Sequence, residues 1–244
     1  MSYSSLQLLK SGSDMEFIEA LKQEISEHPA HHPPFLLSLA NGSKKDPLSA
    51  LRSYAHQYSF YSAHFTTYLN GVISQLANPE HKRMLEENML EELGDPNSDL
   101  LENRPHVELF EIFKRAVGVT STYSQVTPPL PSVKMWSSQF HQLCSSGPVG
   151  IGLGAIGLGT EWIVPQQYQY LLRGIERCPS LGEEARLFFD LHLVADDEHA
   201  EDLISITKAH AQTPREREAI RYGVFTALHL RKLFWEALDS SLSE

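Results

Sequence analysis

Three residues in the last quarter of the chain carry the densest chemistry. His192, Asp196 and His199 fall at i, i+4 and i+7 within Leu191-His-Leu-Val-Ala-Asp-Asp-Glu-His199. On an α-helix this spacing puts two imidazoles and a carboxylate on one face. Turned inward, such a stripe can converge on a metal ion. Turned outward, it is a solvated polar face of the kind that Asp and His commonly form. Leu191, Val194 and Ala195 leave no clean apolar face that excludes the histidines, so burial of the polar stripe stays open.

A metal bound there needs ligands from other helices. Glu161 lies in Val149-Gly-Ile-Gly-Leu-Gly-Ala-Ile-Gly-Leu-Gly-Thr-Glu-Trp-Ile-Val164, the most apolar stretch of the chain. A carboxylate in that setting is costly unless it is paired or metal-bound, and an arginine partner is the alternative to a metal. Glu91 and Glu92 sit in the last turn of a helix that ends at Gly94. Each charge there is disfavoured by roughly 0.3–1 kcal/mol near the negative helix end, so something should compensate. His106 follows Pro105 at a helix start, with Val107, Leu109 and Phe110 behind it, where a histidine is also at home as a cap or surface residue. Glu91, His106, Glu161, His192, Asp196 and His199 together supply carboxylates and imidazoles from several helices. Such O/N ligation without thiolate suits iron or manganese better than structural zinc. Bundles hold two metal ions through carboxylate and histidine side chains on facing helices, although here only Asp196-x-x-His199 has the ferritin-like spacing.

On these residues the sequence resembles the heme-oxygenase-like diiron oxidases and oxygenases, relatives of pyrroloquinoline-quinone synthase and of the thiaminase-like TenA proteins. The likeness runs from Leu51-Arg-Ser-Tyr-Ala-His-Gln-Tyr58 to the histidine helix. The motif is Glu, then His after a variable loop, then Glu, then His-x3-Asp-x2-His. It is matched by Glu91, His106, Glu161 55 residues on, His192 31 further, and His192-x3-Asp196-x2-His199. The length of the loop before His106 leaves Glu92 as the alternative to Glu91. Some members carry a further glutamate on the earlier helix; Tyr61-Ser-Ala-His-Phe-Thr-Thr67 has none. The resemblance implies a heme-oxygenase-like helical bundle in which these six residues hold two Fe(II) ions, with O2 as co-substrate. It implies an oxidase or oxygenase of a small amine- or carboxylate-bearing molecule in biosynthetic secondary metabolism, acting by oxidative cleavage, decarboxylation or nitrile formation. A homodimer and an external electron donor are further expectations.

Gly154 and Gly157 precede Glu161 on its own helical face and could leave room beside the metals, which favours an amino acid with a bulky side chain. Glycine inside a helix costs about 1 kcal/mol relative to alanine, and close helix packing would explain it equally well. Tyr58 and Arg173 are candidate substrate contacts. Other readings are a fatty-acid decarboxylase of the same family, a metal-free TenA-like hydrolase with Cys144 as nucleophile, and a non-enzymatic interaction bundle.

The elements that must position these residues are helical throughout. Met15–Glu27 follows a Ser13-Asp14 cap, and His28–Pro34 is a turn or extended link. Asp46 and Pro47 open a long helix to about Leu76, Pro79–Leu93 stops at Gly94-Asp95-Pro96, and His106–Val117 follows Pro105. Ser132–Leu143 comes after the break at Thr127-Pro-Pro-Leu-Pro131. Gly147–Arg177 reads as one long helix kinked at Pro165, followed by Leu181–His210 and Pro214–Leu242. With no strand-like alternation and short connections, the expected fold is all-α, a single bundle of about seven to eight helices over residues 1–244.

Composition narrows the class. The 244 residues are 41% hydrophobic, enough for a core, and the net charge of −11 argues against nucleic-acid binding. No run approaches ~18 apolar residues, so no membrane span is expected. Two cysteines and no leader-like N-terminus suit the cytoplasm.

Overall fold

The computed structural model describes residues 13–242, and the side chains of residues 194–198 lie outside the described set. Helix α1 (Asp14–Ser26) opens with a capping box in which Ser13 and Glu16 satisfy each other's backbone N–H groups. Its apolar stripe, Phe17, Ile18, Leu21 and Ile25, is buried as the periodicity predicts. The link from His28 is shorter than expected, because Pro34 starts α2 (Pro34–Asn41), whose Phe35, Leu36 and Leu39 enter the core.

The helices around the candidate site follow. Asp46 caps α3 (Pro47–Ser62) by accepting from Ser49 N. The helix expected to run to Leu76 is instead interrupted at Ala63 and His64, and the chain resumes as α4 (Phe65–Ile73). No proline or glycine marks that break. Asn78 caps α5 (Pro79–Leu93), and α6 (His106–Ala116) follows a loop with a 3-10 turn at Leu101–Asn103. A short α7 (Ser121–Val126), not expected from the sequence, precedes α8 (Pro131–Ser145).

The predicted long bent helix consists of α9 (Val149–Ile156), a π-helical turn at Gly157–Glu161, and α10 (Val164–Glu176). Its distortion lies upstream of Pro165. Thr160 Oγ1 donates to Ala155 O at 3.0 Å and Trp162 N to Gly157 O at 3.0 Å, so the turn is widened by one residue. Pro165 then falls in the first turn of α10, where its missing N–H costs nothing. A 3-10 turn at Glu183–Ala185 delays the start of α11 (Leu187–Ala209), and α12 (Pro214–Ser241) closes the bundle. There is no strand among the described residues, and no described helix is long and apolar enough to cross a membrane.

Close approach of α9 to its neighbours explains the glycines. A Cβ at Gly154 would collide with the Ile220 carbonyl of α12, and one at Gly223 with the Ile151 carbonyl of α9. Gly152 faces Val72 of α4 and the backbone of Cys144 in α8. Backbone cannot yield as a side chain can. Gly154→Ala and Gly223→Ala are therefore expected to destabilise the protein by roughly 1–3 kcal/mol in urea unfolding followed by circular dichroism. Gly150→Ala, whose Cβ would come nearest the Ile220 side chain at 3.1 Å, with the Glu216 carbonyl at an ordinary 3.5 Å, should cost less. Wild-type midpoints for Gly154→Ala and Gly223→Ala would show that α9 and α12 do not touch in this way.

Candidate metal centre

Glu92 reaches the interior because it continues the buried stripe of α5, seven residues after Leu85 and four after Asn88. Gly94 then turns the chain with φ +50°, a conformation favouring glycine, and Asp95 N donates to Asn103 O at 2.7 Å. That closure brings His106, first residue of α6, back against the helix it followed. His106 Nδ1 lies 3.0 Å from Glu92 Oε2, an ion-pair contact between two half-buried side chains.

His192 enters from α11. Its Nδ1 lies 2.6 Å from the Phe188 carbonyl oxygen, which can only accept. The proton therefore sits on Nδ1 and Nε2 presents a lone pair, the tautomer a metal ligand needs. Burial, with His106 beside it, lowers the His192 pKa to about 4, so the ring is neutral at pH 7. Ligand atoms of Glu92, His106 and His192 all lie within 4.8 Å of one another. Burial raises the Glu92 carboxyl, but the neighbouring His106, His192 and His199 outweigh it and hold the group below its ordinary value.

Glu161 completes this wall from the π-helical turn. Burial, then the nearby charge of Glu92, raises its pKa to about 8, with Arg231 opposing. Glu92, His106, Glu161 and His192 line one cavity of about 120 Å³. Tyr58, Tyr61, Phe110, Tyr168 and Phe188 form its aromatic side.

Several sequence expectations change here. Of the adjacent acids, Glu92 points inward, while Glu91 is 60% exposed and its Oε2 pairs with His199 Nε2 at 2.8 Å. His199 is buried but does not line the cavity. Asp196 lies outside the described residues. Tyr58 lines the cavity, its hydroxyl 3.4 Å from that of Tyr168. Gly154 and Gly157 do not. The space at Gly154 is taken by α12, and a Cβ at Gly157 would meet Leu203 of α11 at 3.3 Å, so these glycines serve helix packing rather than substrate room. Arg173 is exposed on α10. Cys144 is fully buried away from the cavity, and burial pushes its thiol pKa up, the reverse of what a nucleophile needs. The inward choice of Glu92 was available in the Leu85, Asn88 and Glu92 periodicity. Tyr168 and Phe188 had no signal in sequence.

Residues 52–232 match the family described as iron-containing redox enzymes. The chain belongs to that family. It is 27% identical over 191 residues to the 4-aminobenzoate synthase of Chlamydia muridarum (strain MoPn / Nigg), covering 77% of this chain and 76% of the relative. Its fold matches a TenA homolog from Pseudomonas syringae with a TM-score of 0.72 at 15% identity, over 93% of this chain and 91% of that one. A domain from Shewanella denitrificans with a heme oxygenase-like fold matches at 0.70 and 15% identity, over 94% and 91% of the respective chains. The fold of this iron-containing redox enzyme is thus heme-oxygenase-like and all-α.

The cavity wall suits the metal its family is described as containing. Carboxylate oxygen and imidazole nitrogen without thiolate are donors that iron accepts, and the free Nε2 of His192 faces the cluster. A metal cation also offsets the charges of Glu92 and Glu161, which burial alone opposes. In the metal-free enzyme, Glu161 keeps its proton up to about pH 8, against 4.5 for a free carboxyl. Between those values the folded state binds more protons than the unfolded chain, so stability falls as pH rises. His192 acts in the opposite sense, but only below its ordinary 6.5. The urea midpoint of metal-free protein should therefore fall between pH 6.5 and 8. In Glu161→Gln that decline should vanish; an equal decline would remove Glu161 as its source.

Proposed function

We propose that this iron-containing redox enzyme holds two Fe(II) ions and uses O2 to oxidise a small substrate carrying an amine or carboxylate, by oxidative C–C or C–N bond chemistry. The observation that carries this reading is the enclosure of Glu92, His106, Glu161 and His192 in one aromatic-walled cavity. Glu92 takes the place first given to Glu91. For the second ion the family resemblance offers His199 and Asp196, on the same helix as His192; His199 here pairs with Glu91 outside the cavity. Iron, when bound, supplies the electrons for reduction of O2, and regeneration of the ferrous state calls for an external donor.

The protein's own part is to hold and shield. The Phe188 carbonyl keeps His192 in the tautomer that presents Nε2. Tyr58, Tyr61, Phe110 and Phe188 restrict water near the reacting atoms. Cavity size bears on the substrate. An apolar cavity of about 150 Å³ in another protein takes up one benzene. The present volume of about 120 Å³ therefore suits a single-ring compound or an aromatic amino acid side chain better than a fatty-acid chain. The relative named 4-aminobenzoate synthase is named for a one-ring product, which fits a cavity that holds one ring.

Anaerobic loading with ferrous iron is expected to give about two irons per chain. Exposure of that protein to O2 with single-ring amino acids should consume O2 in a substrate-dependent way. His192→Ala and Glu161→Ala should abolish turnover with helix content retained, and Glu92→Gln should lose far more iron than Glu91→Gln. Full activity in His192→Ala, or no affinity for iron in the wild type, would overturn the reading.

A further inference from the structure

Asn88 of α5 is a buried amide that neither the fold nor the cluster of Glu92, His106 and His192 explains. It is 4% exposed, and among the described residues its side-chain oxygen Oδ1 has no hydrogen-bond partner. Leaving a buried acceptor unpaired is disfavoured, and an ion or an ordered water at the site is what resolves it.

The packing of α5 on α11 shows what Asn88 faces. The two helices run antiparallel. His81 of α5 meets His210, the residue that ends α11, with ring centres 5.6 Å apart, whereas Glu92 at the other end of α5 has a ligand atom within 4.8 Å of one on His192. Between these two points the level of Asn88 on α5 corresponds to that of His199 on α11. Around its own helix Asn88 lies between Glu91 and Glu92, about 60° from the first and about 40° from the second. Glu91 touches His199 at 2.8 Å and Glu92 approaches His192, so this arc of α5 is turned to α11. His199 is itself buried, outside the cavity. A buried imidazole and an unpaired buried oxygen therefore share one level of the same helix interface. That level is one turn from Glu92, about 5.4 Å along the axis. Such a step lets the two side chains serve neighbouring ions, which in two-metal sites lie about 3.5–4 Å apart.

We propose that Asn88 Oδ1 is an oxygen ligand of the second metal ion, opposite His199. The assignment rests on reading the protein as a two-iron enzyme. Amide oxygen is a hard donor, and imidazole is one that suits iron. Being neutral, the amide adds a metal bond without a further buried negative charge beside Glu92 and Glu161. It also holds a cation less firmly than a carboxylate would, and the ion must draw His199 away from Glu91. The second position therefore fills at a higher Fe(II) concentration than the first.

Anaerobic calorimetric titration of the full chain with Fe(II) tests this. Wild type should bind about two ions per chain, the second at least about ten-fold more weakly than the first. Asn88→Leu, close in size but without the oxygen, should stop at about one ion with the first affinity unchanged. Its metal-free urea midpoint should equal or exceed that of wild type, because an unpaired acceptor has gone. Asn88→Asp should recover the second ion and bind it at least as tightly as wild type. Two ions at wild-type affinity in Asn88→Leu would overturn the assignment. So would parallel weakening of both ions there, the result a merely structural role would give. The two-iron reading fails separately: saturation of wild type at one ion overturns it and the assignment together, whereas two ions in both wild type and Asn88→Leu sink the assignment alone.

Discussion

The structure turns on the burial of two carboxyl groups beside two imidazoles. Glu92 and Glu161 sit close enough for the charge of one to raise the pKa of the other, in a wall that burial has largely dried. Isolated ionised carboxylates would be costly there, so each needs a proton, an imidazole or a metal cation. His106 supplies part of the compensation at Glu92, and a proton supplies it at Glu161 when no metal is bound. Every neighbouring element serves to hold these groups in place against that cost.

The π-helical turn is where packing and chemistry meet. Glycines let α9 lie against the backbone of α12, and the chain then widens over Gly157–Glu161 before α10 begins. The widened turn brings Thr160 and Glu161 to the cavity wall. Inserted residues of this kind recur at functional sites because they re-aim a side chain without ending the helix. The glycines thus act on the site indirectly, through helix position.

Behind the aromatic wall the core holds a charge of its own, the buried guanidinium of Arg231. Burying a guanidinium costs several kcal/mol, whereas cation–π contacts of the sort made with Trp136 and Tyr61 give about 0.5–2 kcal/mol each.

By itself the sequence determined the all-α class, most helix starts and the set of helices that bring imidazoles and acids together. Caps such as Ser13 and Asp46, prolines at first turns, and apolar stripes such as Phe17 to Ile25 act locally, over one or two turns of chain. Local physics is readable in local sequence. The stripe of Leu85, Asn88 and Glu92 hints that Glu92 rather than Glu91 faces His106, but the tertiary structure decided it, through the rotation of α5 against α6 and α11. It also decided that Gly154 and Gly157 meet α12 and α11 instead of a ligand, and that the break at Ala63 and His64 occurs with no breaker residue. That Arg231 is buried within reach of Glu161 yet forms no ion pair likewise appears only after folding, because a side chain's counter-ions come from elements distant in sequence.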